Sequence, residues 1–458
     1  FKQKTAYEIM PSLVGSEMCI RDSLRISGQD KLKLPYNLRS NQQEIIDTIK
    51  KGLQSKNHIV IEAPTGSGKT FTSLASSLPF VINKSHKIIY CVRTNSQQEQ
   101  VIRELKAFKD SGNIFSVVAI QGRQSMCPQQ KDDDELAKSN WSEKSKICKS
   151  LKLQSKLGEA GCPYYRKLLR PSKSLIDRWS SEIYSAEEFT VNAESENICP
   201  YELNKLLLKE AQIVIVPYVY FFEDFIRKYL LGWMDTTIDK IITIVDEAHN
   251  LPDWSREAAS ESLSVDSLHR ASQESDKFGL LLGDGSPPTL FLDLVESALK
   301  SLGEYHIQEG DDEGLLPSHI VSLDSEVPTF ETEMMSLGKM TLYRLKQQSS
   351  DLSKMGQLIR QTLLEKGKRP RSYLGSVGDF LCRWLDSIES HTIRLVGNKP
   401  LRLEKVCLDP RVMTSFLDET AGVVMMSGTL SPLGMFRDLV GLKPESKLER
   451  FGSIFPKE

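Results

Sequence analysis

The chain has 458 residues, of which 40% are hydrophobic and 26% charged, and its formal net charge is −2 at pH 7. This composition is ordinary for a soluble globular protein. It excludes a chain that is basic throughout, and no apolar run is long enough to cross a bilayer. Any nucleic-acid contact must therefore come from local patches. The length predicts about two to four domains.

The first residues are left out of the fold prediction. Residues 2–23 resemble the in-frame translation of a sequencing-library adapter, so residues 1–23 are interpreted as an artefact. One of the eight cysteines, Cys19, lies there. The others are irregularly spaced, which fits a reducing compartment better than a disulfide framework. We expect the cytoplasm or nucleoid of a prokaryote, or the nucleus of a eukaryote.

A phosphate-binding loop is predicted after the first strand. Gln42 precedes apolar residues at helical spacing, and the β-branched run at 59–61 predicts a buried strand. The loop that follows consists of Ala63, Pro64, Thr65, Gly66, Ser67, Gly68, Lys69 and Thr70. Such loops wrap backbone N–H groups around nucleotide phosphates, while the lysine reaches the β- and γ-oxygens and the hydroxyl holds Mg²⁺. Ala63 replaces the usual first glycine, and a chance glycine-rich turn is the alternative.

A second buried strand is predicted at 88–92, and Arg93, Thr94 and Asn95 follow it. An arginine and small polar residues at a strand end, just before a helix, suit contacts with backbone phosphate that do not read sequence.

Four cysteines lie in the second hundred residues. Cys127, Cys148, Cys162 and Cys199 have 20, 13 and 36 residues between successive members, and three of them precede proline. A Cys-Pro step recurs at ligands of [4Fe–4S] clusters. No C-x-x-C pair occurs among them, which argues against the usual zinc ribbon. The spacing alone leaves a zinc site, or four unrelated buried thiols, open.

Another buried strand is predicted within residues 240–250, and it ends in the sequence D-E-A-H. Open α/β sheets place their ligands at the carboxyl ends of the strands. Asp246 is therefore predicted on the Mg²⁺ side, held through water, and Glu247 is predicted to orient and deprotonate the attacking water. His249 would couple hydrolysis to movement. A surface cluster of acids is the alternative interpretation.

Residues 251–410 carry no catalytic motif, and their apolar spacing predicts a helical domain. The spacing is clearest at Leu342, Leu345, Leu352, Met355, Leu358 and Ile359. A basic cluster at 366–371 is predicted to be a solvated loop, with a phosphate contact as the alternative. A last buried strand at 423–426 then leads into Ser427, Gly428 and Thr429.

The motifs EAPTGSGKT, DEAHN and SGTLSP together resemble those of superfamily 2 helicases. The four cysteines, flanked by QGRQSMCP and ENICPYEL, are similar to those of the XPD-type iron-sulfur helicases, whose relatives include FANCJ, RTEL and bacterial DinG. The resemblance implies an α/β fold: a RecA-like P-loop NTPase motor domain with an inserted [4Fe–4S] domain and an inserted helical arch domain.

The resemblance also implies roles for individual residues. Gln42 would recognise adenine, and Arg93, Thr94 and Asn95 would contact the DNA strand. Ser427 and Thr429 would link the nucleotide state to the grip on DNA. The four cysteines would hold the cluster, whose role would be structural.

The implied domain limits are 24–112, 201–250 and 411–458 for the motor domain, 113–200 for the cluster domain and 251–410 for the arch. No Q-x-x-G-R-x-x-R pattern occurs, so the sequence resembles a front half in which the second motor domain is absent. We therefore expect a fragment that binds ATP·Mg²⁺ and single strands but turns over poorly.

The implied activity is that of an ATP-dependent 5′–3′ DNA helicase in DNA repair, monomeric and without a membrane anchor. Its expected partners are single-stranded and forked DNA, with repair-complex proteins at the arch. Two alternatives stay open: a FANCJ-, RTEL- or DinG-like helicase of other duty, and a non-unwinding protein that binds single strands under ATP control.

Overall fold

The computed structural model describes residues 32–39, 41–82, 86–317, 327–386 and 390–452, so the adapter-like residues 1–23 lie outside it. The strands within these ranges are β1 (Ile59–Glu62), β2 (Lys87–Val92), β3 (Val117–Ala119), β4 (Ile213–Pro217), β5 (Ile241–Val245), β6 (Glu261–Ser264), β7 (Glu313–Leu316), β8 (Thr392–Asn398), β9 (Leu401–Cys407), β10 (Gly422–Ser427) and β11 (Lys447–Arg450).

The α-helices are α1 (Gln42–Gln54), α2 (Lys69–Ile82), α3 (Asn95–Asp110), α4 (Arg123–Met126), α5 (Asp134–Lys138), α6 (Trp141–Lys156), α7 (Pro163–Arg166), α8 (Lys173–Ser181), α9 (Ala186–Ser195), α10 (Pro200–Leu208), α11 (Tyr218–Phe222), α12 (Asp224–Trp233), α13 (Leu251–Ala258), α14 (Val265–Phe278), α15 (Pro288–His306), α16 (Phe330–Gly338), α17 (Leu342–Glu365), α18 (Tyr373–Asp386), α19 (Arg411–Thr414) and α20 (Leu433–Leu439). Short 3₁₀ helices span Pro128–Lys131, Ile238–Lys240, Ala248–Asn250 and Ser415–Glu419.

Seven strands form one parallel sheet in the order β11-β1-β10-β5-β2-β4-β3. Strands β1, β5 and β10 are buried along their whole length, as expected when helices cover both faces of a parallel sheet. Because all seven strands point the same way, the loops after β1, β2, β5 and β10 meet at one edge. The predicted α/β fold is confirmed.

Two hydrophobic cores lie on opposite faces of this sheet. Side chains alternate along a strand, so Ile59 and Ile61 of β1 face one core and Val60 faces the other. The first core contains buried residues of α1, α2 and α3, and the second contains those of α10, α11 and α12. Helices α2 and α3, which begin with predicted site residues, thus pack on the same face of the sheet.

The segment between β3 and α10 contains the helices α4 to α9 and little core of its own. Trp179, Tyr184 and Phe189 form a small aromatic group with ring centroids 4.9 to 5.9 Å apart. Strand β3 lies within the predicted cluster domain of 113–200, yet it pairs with β4 at the edge of the parallel sheet.

Residues 251–407 include a second sheet that the sequence did not predict. It is antiparallel, with the order β6-β9-β8-β7, and it packs with α14 to α18 around a third core. Helix α17 confirms most of the predicted helical spacing, although Leu358 is 60% exposed. Arg394 of β8 is buried, and its guanidinium donates to the buried Glu331 (Nη1 to Oε1, 2.8 Å).

The basic cluster at 366–371 is only partly a solvated loop. Arg369 donates from Nε and Nη2 to Oε2 of Glu143 on α6, at 3.1 and 3.0 Å, and Arg371 Nε lies 3.8 Å from Oε1 of the same carboxylate. Glu143 is buried, so this contact joins the two inserted segments. No helix among the described ranges is both long enough and apolar enough to span a membrane.

Candidate nucleotide and cluster sites

The loop after β1 has the shape of a phosphate cradle. Gly66 and Gly68 have φ angles of 84° and 81°, a region that glycine adopts readily and other residues avoid. A Cβ on Gly68 would also lie 2.4 Å from Nε2 of Gln42. Lys69 is the first residue of α2, and its Nζ donates to the carbonyl oxygens of Ala63 (3.1 Å) and Pro64 (3.4 Å). The ammonium group therefore lies across the loop.

The other predicted loop residues differ in exposure. Thr65 is exposed, Pro64 is half-buried and Thr70 is buried at the start of α2. Ser67 is buried, and within the described residues its hydroxyl has no hydrogen-bond partner. A buried hydroxyl without a partner is costly, so this group is available to a ligand that enters the loop.

Gln42 is hydrogen-bonded to the backbone of the phosphate loop. Its Nε2 donates to the carbonyl of Ser67 (3.1 Å), and its Oε1 accepts from the backbone N–H of Arg39 (2.9 Å). Arg39 Nη1 donates to the carbonyl of Gly66 at 3.4 Å. The half-exposed ring of Tyr36 lies 5.5 Å from the ring of Phe71, so Tyr36 offers an aromatic surface beside the loop. The sequence assigned no role to Arg39 or Tyr36.

Asp246 lies at the end of β5, across the sheet edge from the loop. Its carboxylate accepts from the hydroxyl of Tyr90 (3.4 Å) and from the N–H of Glu247 (2.9 Å). Burial and then the charge of Glu247 raise the pKa of Asp246, while the nearby charge of Lys69 acts in the opposite direction. The structure therefore brings Lys69 and Asp246 within electrostatic reach of each other.

Glu247, His249 and Ser427 meet on the same edge. The Ser427 hydroxyl donates to Oε2 of Glu247 (3.1 Å), and His249 Nδ1 lies 2.6 Å from the Ser427 oxygen and 3.3 Å from Glu247 Oε2. Glu247 has a left-handed φ of 45°, which is strained for a residue with a side chain and is often found at functional sites. The backbone N–H of Ala63 donates to the Ser427 carbonyl (2.9 Å), which connects this group to the phosphate loop.

Glu62 is a site residue that the sequence did not single out. It is the last residue of β1 and is buried, and its Oε2 accepts from the N–H groups of Leu430 (2.8 Å) and Ser431 (2.6 Å). Arg450 of β11 lies 2.8 Å from its Oε1. The carboxylate thus fixes the loop after β10, which contains the exposed Thr429, to the foot of the phosphate loop. The sequence signal that could have identified Glu62 is its position as an acid at the end of an otherwise apolar strand.

The three residues predicted to contact DNA are exposed at the end of β2. Thr94 caps α3, its side chain and that of Gln97 forming a capping box, and Asn95 is the first residue of that helix. Arg93 Nη1 donates to Asn250 Oδ1 at 2.5 Å, next to the D-E-A-H segment. The positive end of a helix with an adjacent arginine suits an anionic ligand.

The four cysteines line one cavity. Cys127, Cys162 and Cys199 each occupy the N-cap of a short helix whose first residue is proline, and Cys148 lies on α6. At those three N-caps, backbone N–H groups one turn on donate towards the sulfur and lower its pKa. Burial has the larger effect: it raises the pKa of all four thiols, that of Cys127 to about 11. A metal must therefore displace protons to bind.

Positive charge surrounds the same cavity. Arg123, Lys152 and Lys205 share the carboxylate of Glu202, with nitrogen–oxygen distances of 3.8, 2.8 and 3.4 Å. All three cations also act on the charge of Cys148. At Cys148 these cations act against the burial that raises its pKa, and so favour the thiolate form that a metal cluster requires.

No three cysteine, histidine, aspartate or glutamate side chains of the described ranges are grouped so as to hold a single metal ion. A [4Fe–4S] cluster takes each thiolate on a different iron, so its four ligands surround a cavity. Four thiols around one cavity, three of them at helix N-termini, suit that group.

A parallel sheet with a phosphate loop after β1 and an acidic pair after β5 defines a P-loop NTPase domain of the RecA class. Two family models match: DEAD_2 over residues 90–268, and the helical and beta-bridge domain over residues 286–451. The chain belongs to the XPD-type family of superfamily 2 helicases.

Several named helicases are similar in sequence to this chain. A regulator of telomere elongation helicase 1 homolog from Arabidopsis thaliana is 26% identical, over 51% of this chain and 24% of that protein. The general transcription and DNA repair factor IIH helicase subunit XPD/RAD3 of Saccharomyces cerevisiae is 26% identical, over 52% and 32%. The ATP-dependent DNA helicase CHL1 of Vanderwaltozyma polyspora is 23% identical, over 88% and 49%. The matches thus cover about a quarter to a half of the relatives.

Two solved structures share the fold. One described as an XPD helicase has a TM-score of 0.58 at 21% identity, covering 91% of this chain and 62% of its own. One described as a truncated XPD has a TM-score of 0.55 at 20% identity, covering 90% of this chain and all of its own.

Proposed function

We propose that this protein is an ATP-dependent DNA helicase of the XPD type, moving 5′ to 3′ on single-stranded DNA in repair. The observation that carries the proposal is that Ser427 joins the phosphate loop to the D-E-A-H segment: its carbonyl accepts from the N–H of Ala63, and its hydroxyl contacts both Glu247 and His249. Such an arrangement can bind a nucleotide, cleave it and report the event to a neighbouring loop.

Each residue of the nucleotide site has a role in ATP binding or hydrolysis. The N–H groups of the loop and the ammonium of Lys69 bind the phosphates, and Gln42 and Tyr36 would hold the adenine ring. Thr70 and Asp246 would hold Mg²⁺, which supplies positive charge to the phosphate oxygens. Glu247 orients a water for attack on the terminal phosphorus and takes its proton.

Coupling to DNA runs through the group around Ser427. When Glu247 changes its partner during hydrolysis, the hydroxyl of Ser427 and the ring of His249 must rearrange, since both lie within 3.3 Å of that carboxylate. The change reaches Thr429 along the loop after β10. Arg93, Thr94 and Asn95 would hold the DNA backbone on the same edge.

In this proposal Cys127, Cys148, Cys162 and Cys199 hold a [4Fe–4S] cluster. The cluster would hold together the helices α4 to α9, which have only a small aromatic core of their own. Because β3 completes the motor sheet, we place the start of the cluster domain after residue 120 rather than at 113. The arch would comprise residues 251–410 and dock partner proteins.

A duty like that of the telomere helicases is the second candidate. The Arabidopsis homolog named for telomere elongation and the yeast XPD/RAD3 protein are equally similar to this chain at 26% identity. Unwinding of branched telomere-like substrates in preference to simple forks would favour this candidate.

Replacing Lys69 by alanine tests the nucleotide site. The ammonium makes charge-assisted hydrogen bonds to phosphate in this proposal, so Lys69→Ala should weaken binding of a fluorescent ATP analogue with Mg²⁺ by about 10- to 100-fold. Lys51→Ala, an exposed lysine on α1, is the matched control and should bind like wild type. Equal affinity of the Lys69→Ala protein would contradict the site.

Replacing Ser427 by alanine tests coupling. Loss of the hydroxyl breaks the link between Glu247 and His249, so we expect ATP binding to be kept while stimulation of hydrolysis by single-stranded DNA falls about tenfold, the equivalent of one buried hydrogen bond to a charged group. Ser77→Ala removes a buried hydroxyl that has no partner among the described residues and is the control. Undiminished stimulation in Ser427→Ala would rule the link out.

A further inference from the structure

A buried lysine faces the cavity that the four cysteines line. Lys144 is four residues before Cys148 on α6, so the two side chains lie on the same face of that helix. Lys144 also lines the cavity, and it is only 1% exposed. Lysine is almost never fully buried unless an opposite charge pairs with it. The position of this ammonium group therefore needs an electrostatic explanation.

The protein supplies a polar partner for Lys144 but no acidic one among the described residues. Its Nζ donates to Oε1 of Gln130 at 2.7 Å, on the short helix that follows Cys127. The carboxylate next to it in the chain, that of Glu143, faces Arg369 and Arg371 instead. A buried charge without a counter-charge is strongly destabilising, so a single neutral amide does not account for this lysine.

Lys144 differs in this respect from the other cations beside the cavity. Those three share the carboxylate of Glu202. Burial lowers the pKa of Lys144, and the negative charge of a Cys127 thiolate acts in the opposite direction. The negative charge that stabilises this ammonium group is therefore on the side of the cysteines.

We propose that Lys144 is the counter-charge of an anionic metal–thiolate group in this cavity, and that it makes reduction of that group more favourable. Four thiolates outnumber the positive charges of a [4Fe–4S]²⁺ core, so the whole group is an anion, and uptake of one electron increases its negative charge. A fixed cation beside it stabilises the more negative state, because net charge is one of the factors that set the reduction potential of a cluster. The inference rests on the proposed cluster.

The test measures the reduction potential of the cluster in wild type and in Lys144→Gln. Protein purified without oxygen is titrated with dithionite in the presence of redox mediators, and the electron paramagnetic resonance signal of the reduced cluster is followed. Glutamine keeps a polar end group near Gln130 but removes the charge. Reduction should become about tenfold less favourable, which for a one-electron couple is a fall of about 59 mV.

Lys156→Gln is the matched control. It removes the same charge from the same helix, but Lys156 is exposed in the last turn of α6. Water and salt screen an exposed charge, so the potential should equal that of wild type.

Lys144→Arg separates charge from packing. It keeps the positive charge and changes the shape of the side chain, so its potential should stay close to that of wild type. If Lys144→Gln does not retain iron, the arginine variant decides. Iron kept in Lys144→Arg supports the counter-charge, whereas loss of iron from both variants assigns the lysine to packing against Gln130 and overturns the inference.

Three other results overturn the inference. They are an unchanged potential in Lys144→Gln, an equal fall in Lys144→Gln and Lys144→Arg, and an equal fall in the Lys156→Gln control. Iron and sulfide content separates this inference from the proposed function. A wild type without an iron-sulfur cluster refutes the cluster in the proposed function, whereas a full cluster of unchanged potential in Lys144→Gln refutes only the role of Lys144.

Discussion

Glu247→Gln should lower single-turnover ATP hydrolysis by about 10²- to 10⁴-fold, the usual contribution of a general base, while ATP binding is unchanged. Glutamine keeps the size of the side chain, and its carbonyl oxygen can still accept from the Ser427 hydroxyl. It cannot take a proton from the attacking water. The measurement is release of labelled phosphate with protein in excess over ATP and single-stranded DNA present, so that slow turnover is still detected.

The control for this experiment is Glu44→Gln on α1. Glu44 is exposed in the first turn of that helix, so its replacement alters charge without reaching the sheet edge. We expect hydrolysis equal to that of wild type. If Glu247→Gln also hydrolyses ATP at the wild-type rate, another group must activate the water, and the assignment of roles to the D-E-A-H segment fails.

Cys162→Ser should remove most of the iron from the anaerobically purified protein. The wild type should contain about four irons and four sulfides per chain, as a [4Fe–4S] cluster demands. Loss of one thiolate ligand should also make the segment between Arg123 and Cys199 sensitive to protease, because its aromatic group of Trp179, Tyr184 and Phe189 is small.

Cys382→Ser is the matched control, since Cys382 is a free thiol on α18 in the other inserted segment. It should keep the iron and the protease resistance of the wild type. A wild-type protein with one zinc and no sulfide would contradict the cluster proposal. The ATP site would be unaffected by that result, since its residues lie on separate loops.

The motor sheet could be predicted because its strands are short, apolar and followed by motifs with fixed spacing. The sequence alone predicts that the phosphate loop at Lys69 and the acid pair beginning at Asp246 lie at the same sheet edge. The reason is that parallel strands bring their carboxyl ends together. The second sheet was missed because β8 and β9 mix charged with apolar residues. From its charge, Arg394 would be expected at the protein surface. Its burial is explained only by its hydrogen bond to the buried Glu331.

Other parts of the site depend on contacts between segments distant in the chain. Glu62 binds N–H groups of Leu430 and Ser431, and no local pattern reveals such a partner. Arg369 looked like part of a solvated loop until its contact with Glu143 was seen.

The arrangement of β1 has a consequence for synthesis. Its strand neighbours among the described residues are β10 and β11, and Val60 pairs with Met425, 365 positions later (425 − 60). At about 5 to 20 residues per second, the ribosome needs tens of seconds to deliver that partner. During this interval the nascent strand that leads into the phosphate loop has both edges open, so chaperone occupancy should be greatest there, and the ability to retain nucleotide should arise only late in translation.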